Sequence, residues 1–185
     1  MNRCPGFKRT FIILICAGIY IARLYQVHRY YEPMTQKEYY QIGDTFREKN
    51  LDFQVTDAQM TTLRQLIEEY GEPEMPIPFD DTGMLFYLVN LNMTNSTEET
   101  ITYPTLEITL QTDAWYTQML LEMLRPINGE KASSKQRIGS GETLTMTYIY
   151  PVSIRKGYEY YLEKDWYLGF RMDSAKKLVL VKPGQ

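Results

Sequence analysis

The side chains that most often do chemistry are few in this chain and poorly placed to act together. His28 is the one histidine, the two cysteines are Cys4 and Cys16, and all three stand near the N-terminus. Imidazole is the commonest base near neutral pH and a favoured metal ligand, and thiolate is the usual sulfur nucleophile. Chemistry built on either is therefore not expected in the rest of the chain. Ser140 sits between two glycines in Gly139-Ser140-Gly141-Glu142, but the setting is not Gly-x-Ser-x-Gly and His28 is far along the chain. A serine needs a base to attack, so these glycines read as a turn ahead of a strand.

Carboxylates are plentiful, with 23 Asp and Glu. Glu68, Glu69, Glu72 and Glu74 cluster, and Asp80-Asp81-Thr82-Gly83 forms a turn-like group. Calcium needs several oxygens converging on one point, and neither group has the alternating acids of a dedicated loop. A glycosidase needs two carboxylates facing across a cleft. So many acids make such a pair easy to find by chance, so its presence would carry little information. No catalytic residue, metal ligand or cofactor is assigned.

The aromatic run Gly157–Phe170, GYEYYLEKDWYLGF, is more informative. Tyr and Trp supply rigid, amphipathic contact area, as recognition surfaces do. Trp166 and alternate rings are expected in a core. Tyr158, Tyr160, Tyr161 and Tyr167 are the expected binding residues.

The elements that would position these rings alternate with a period of two. Leu51, Phe53 and Val55 alternate with polar residues, as do Tyr87, Val89, Leu91 and Met93, then Leu106, Ile108 and Leu110. Leu144, Met146, Tyr148 and Tyr150 follow the same rule, then Trp166, Leu168, Phe170 and Met172, before an apolar close at Leu178–Val181. Successive strand side chains point to opposite faces, so each segment predicts one buried and one wet face. The turn clusters between them suggest an antiparallel sandwich. Two stretches break the period. TTLRQLIEEYG predicts a two-turn helix with Leu63, Leu66, Ile67 and Tyr70 on one face, Thr62 and Gln65 at capping-box spacing, and Gly71 and Pro73 as the stop. AWYTQMLLEMLRPIN reads as a short helix capped by Asp113 and ended by Pro126, with a bent strand as the alternative. The sequons at Asn92 and Asn95 read as polar strand-end residues.

The N-terminus carries an address. Arg3, Lys8 and Arg9 precede an uncharged run from Thr10 to Ala22, which Leu24, Tyr25 and Val27 extend past Arg23. A basic region followed by an apolar stretch is an export signal, and the charge bias places the N-terminus inside. Small residues suited to cleavage sit within the apolar run, which favours an uncleaved signal anchor. Residues 1–28 are thus expected to be the anchor, contacting the lipid bilayer as a single transmembrane helix through residues 10–27. Residues 29–37 form a short stalk and residues 38–185 an extracytoplasmic domain. No cysteine follows Cys16, so that domain holds no disulfide of its own. Residues 32–107 carry 15 acids against 4 bases, and residues 113–185 carry 8 against 11. Nucleic-acid binding wants a basic face, and no nucleic-acid partner is expected.

The segments QIGDTFREKNLDFQVTDAQM, EEYGE, LFYLVNLNMTNST, GSGETLTMTYIYP and YLGFRMDSAKKLVLVKP together resemble uncharacterised signal-anchored, extracytoplasmic immunoglobulin-like domain proteins of Gram-positive bacteria, clostridia especially. The resemblance covers about residues 36–182 and brings no catalytic residues with it. The helix near Thr62–Tyr70 and the segment Ser153–Asp165 depart from the simplest members. It implies a mainly β, immunoglobulin-like antiparallel β-sandwich with one or two short helices, displayed outside the cell membrane. The expected function is non-enzymatic binding of an unknown surface protein or cell-wall component. The alternative is an exported hydrolase acting on cell-wall glycans through a carboxylate pair.

Overall fold

The computed structural model describes residues 16–26, 37–73, 75–77, 83–154, 163–170 and 176–181. Residues 16–26 form helix α1, with every side chain exposed. Among the described residues no helix is long and apolar enough to cross a membrane.

Two sheets face each other across one core. The front sheet runs β1 (Lys37–Tyr40), β11 (Lys176–Leu180), β10 (Tyr167–Phe170), β6 (Ile108–Gln111) and β7 (Tyr116–Thr117), in that spatial order. The back sheet runs β2 (Thr45–Glu48), β3 (Leu51–Thr61), β4 (Met84–Asn95) and β9 (Thr143–Ser153). A small pair, β5 (Ile101–Pro104) and β8 (Lys135–Ile138), sends Tyr103 and Ile138 into the same core. The chain is mainly β, as its period of two requires. One pairing departs from the antiparallel expectation: β1 lies parallel to β11, because the chain enters the front sheet and crosses at once to the back one. That crossing is the Gln41-Ile42-Gly43-Asp44 turn. Gly43 has a positive φ of 92°, its N–H donates to Val55 O, and the Asp44 carboxylate accepts the Gln41 N–H.

The alternating residues fill the core as predicted. Phe53, Val55, Val89, Leu91, Ile108, Met146, Leu168 and Phe170 are buried between the sheets. Phe46, Phe53, Phe170 and Tyr103 pack ring against ring at centroid distances of 4.9–5.6 Å, and Trp166 meets Tyr87 at 5.8 Å. Leu106 corrects the pattern. It lies in a 3-10 turn, Thr105–Glu107, and is 47% exposed, so the strand starts at Ile108. Thr105 is drawn out of line by bonds from its N–H and hydroxyl to the carbonyls of Ser134 and Ser133.

The outer face of the back sheet is divided. Its polar half carries cross-strand pairs, Thr147 and Thr145 donating to the Asn90 and Asn92 carboxamides and Thr94 bonded to Thr143. Its apolar half, Phe86, Leu88 and Ile149, lies beneath Leu66 of helix α2 (Leu63–Tyr70) and beneath Leu120 and Met123. Helix α2 carries the expected Thr62–Gln65 capping box and stops at Gly71, whose φ is 90°. The stretch after Asp113 differs from expectation. It holds β7, a 3-10 turn Leu121–Met123 and a short helix α3 (Leu124–Asn128). Asp113 caps nothing there, and Pro126 lies in the first turn of α3, where its missing N–H costs no helical bond.

Candidate ligand-binding face

The face of the front sheet turned away from the core carries a row of cross-strand neighbours. Tyr39 on β1 pairs with Leu178 on β11, Leu178 with Gly169 on β10, and Gly169 with Thr109 on β6. Glycine within a strand often marks a close approach, and here the Gln111 carboxamide occupies the space above Gly169. A β-carbon there would meet Gln111 Cδ at 2.8 Å. Gln111 is buried, and its Oε1 accepts a 2.6 Å hydrogen bond from Lys176 Nζ.

The walls are aromatic. Tyr39 and Tyr167 meet edge to face at 5.6 Å. On the opposite side, the four-residue loop between β6 and β7 lifts Trp115 and Tyr116. The Thr112 hydroxyl accepts the N–H groups of Ala114 and Trp115, while the Thr112 N–H donates to Trp115 O at 2.7 Å. Such a threonine-anchored turn needs no glycine and fixes the residues after it. Tyr39, Trp115 and Tyr116 are 60%, 47% and 64% exposed. Together with Lys37, Lys176 and Asp113 these rings line an open hollow of about 380 Å³, within the ~300–1,000 Å³ of ordinary ligand sites. Burial, and then repulsion from Lys37, hold the Lys176 ammonium below the usual lysine range.

Of the predicted binding residues, Tyr167 lies in this hollow, whereas Tyr158, Tyr160 and Tyr161 lie outside the described residues. Tyr39, Trp115 and Tyr116 were not predicted. The alternation in KEYY, which sends Tyr40 inward and Tyr39 outward, carried a signal for the first. The Trp-Tyr pair lay in a stretch whose period is ambiguous.

The other chemical candidates resolve into structure where they are described. Ser140 sits in a turn in which the Gly139 N–H donates to the Glu142 carboxylate and Gly141 has a φ of 69°. Asn95 is buried, and its side chain donates to the carbonyls of Glu99 and Ile138 and accepts from Thr97. Glu68 and Glu69 stand side by side on α2, lining a shallow polar depression. Glu74, Asp80 and Asp81 lie outside the described residues. Among the described residues no three His, Cys, Asp or Glu side chains converge as a metal site would require.

No protein-family model matches the chain, and no curated protein matches it in sequence. Solved structures do resemble it. The yjhA protein from Bacillus subtilis superposes with a TM-score of 0.50 at 14% identity, over 77% of this chain and 99% of that one. A functionally unknown protein from Listeria monocytogenes gives 0.50 at 12% identity, over 77% and 82%. An uncharacterised β-sandwich protein from Clostridium difficile gives 0.47 at 11% identity, over 80% and 97%. The likeness to the first two is one of fold alone.

Proposed function

We propose that the chain is a membrane-tethered, extracytoplasmic binding module of immunoglobulin-like type, which meets its ligand on the outer face of the front sheet. The hollow carries this reading: exposed aromatic rings and two ammonium groups gathered on a rigid sheet, with a hydrogen-bonded loop as one wall. Large exposed rings on a soluble domain cost free energy unless something covers them, and such patches mark interaction sites. The tether is residues 10–27. Ile19, Tyr20, Ile21, Leu24 and Tyr25 are 50–66% exposed on α1, and so large an apolar share of a helix surface, interrupted by Arg23 and Gln26, calls for lipid around it. A short stalk ahead of β1 then holds the sandwich near the membrane, where local concentration favours a nearby wall component or surface protein.

The test uses the full chain in nanodiscs and an isolated cell-wall fraction. Wild type is expected to co-sediment with the wall, and Tyr39→Ala and Trp115→Ala to release it while the circular dichroism of the domain is unchanged. Retention that survives both substitutions contradicts the reading, and so does steady release of sugar from wall glycans by the purified chain.

A further inference from the structure

We propose that the hollow takes an acidic saccharide, a sugar ring carrying a carboxylate or phosphate, as one unit of an envelope polymer. This rests on the binding-module reading and adds the ligand class to it.

Charge complementarity carries the first half. Lys37 and Lys176 pair directly across β1 and β11 and line the same hollow. Among the described residues no ion pair joins either to a carboxylate; the hydrogen bond of Lys176 goes to a neutral carboxamide, Gln111. By contrast, the next pair along these strands, Glu38 and Lys177, closes a salt bridge at 2.7 Å. The two strands therefore neutralise the charges on their other face and, among the described residues, leave Lys37 and Lys176 lining the hollow with Asp113 as the acid beside them. An anion between the two ammonium groups relieves their repulsion and gains charge-assisted hydrogen bonds.

The rings carry the second half. Tyr39, Trp115, Tyr116 and Tyr167 offer ring faces and edges around those charges, and the apolar C–H faces of a sugar pack on such platforms. Gln111 and Asp113 place a carboxamide and a carboxylate within the same wall, which suits sugar hydroxyls. A bare inorganic anion would use the lysines and leave the rings exposed, and a neutral sugar would leave the lysines unmatched.

The full chain in nanodiscs is titrated calorimetrically with trigalacturonate, glucose 6-phosphate, neutral chitotriose, triglutamate and inorganic phosphate. Trigalacturonate or glucose 6-phosphate is expected to bind at least about tenfold more tightly than the last three, and to weaken with rising salt. Lys37→Gln and Trp115→Ala, each checked for an unchanged circular dichroism spectrum, are expected to cost at least about tenfold in that affinity. Failure of both acidic sugars to bind overturns the inference, as does equal binding of chitotriose or triglutamate, or affinity unchanged in Trp115→Ala. If wall retention still depends on Trp115 while the acidic sugars do not bind, the ligand class falls and the binding module stands. If retention ignores Trp115 as well, both fall.

Discussion

The Gln111 carboxamide lies over Gly169, in space that a side chain at 169 would fill, and from there it accepts the Lys176 ammonium at 2.6 Å. This relationship sets the floor of the hollow. A glycine in the centre of a sheet forgoes packing and costs backbone entropy; here the neighbouring strand's side chain takes the vacated volume and holds a cation at the surface.

Gly169→Ala tests that floor. The obstructing atoms are the end of a flexible side chain, so the domain is expected to fold at a cost of about 1 kcal/mol, the low end for overpacking. Gln111 must swing away and Lys176 then loses its acceptor. Denaturant melts together with wall co-sedimentation check it: a near-native midpoint with lost retention is the expected pair.

Asn128 closes the edge of the back sheet. Its carboxamide accepts the Thr147 N–H at 2.8 Å and donates to Thr147 O at 2.9 Å and to Leu124 O at 3.0 Å, so a side chain stands in for a neighbouring strand on β9. Asn128→Ala is expected to destabilise by about 1–3 kcal/mol. It is also expected to speed aggregation on gentle heating, since an open edge pairs with other edges. Urea melts and light scattering read the two effects.

The β2–β3 hairpin turns through Lys49 and Asn50, with φ of 48° and 64° and Glu48 opposite Leu51. Both residues have the positive φ of a type I′ turn, which favours Asn-Gly. K49N/N50G is expected to stabilise by about 0.5–1 kcal/mol, read as a higher thermal midpoint with an unchanged near-ultraviolet spectrum.

Alkali should unfold the domain through its buried phenols. Burial raises the Tyr87 hydroxyl to about 12 and pushes those of Tyr103, Tyr148 and Tyr150 further still. A group whose folded pKa is raised contributes stability fully below its ordinary value, near 10, and loses it as pH rises toward the folded value. The contribution of these phenols is thus expected to be flat below pH 10 and to fall steeply above it. Phenolate absorbance should rise in two phases, the second coincident with loss of near-ultraviolet dichroism; a single phase before unfolding would contradict it.

The core was legible because burial there follows from alternation alone: Phe53, Val89, Met146 and Phe170 sit where a period of two places them. The α2 cap was legible for the same local reason, Thr62 and Gln65 lying within one turn of each other. Leu106 was not, since bonds from Thr105 to Ser133 and Ser134, distant in sequence, bend the chain. Nor was the hollow. It exists because β1 is laid parallel beside β11, bringing Tyr39 to Leu178 and Lys37 to Lys176, and no local pattern announces a pairing between the two ends of a domain. Gly169 carried a hint, but its meaning depended on Gln111, which is remote in sequence and adjacent only in the folded sheet.

The chain has two tryptophans, Trp115 in the wall of the hollow at 47% exposure and Trp166 in the core at 1%, and this makes one measurement decisive. Fluorotryptophan labelling of the full chain in nanodiscs should give two fluorine resonances, with Trp115 assigned by its larger shift between light and heavy water. On addition of solubilised wall polymer, the Trp115 resonance is expected to move in a saturable way while Trp166 stays fixed. A Trp115 resonance that stays fixed while the polymer demonstrably binds would place the contact elsewhere and contradict the assignment of the front-sheet hollow as the binding site.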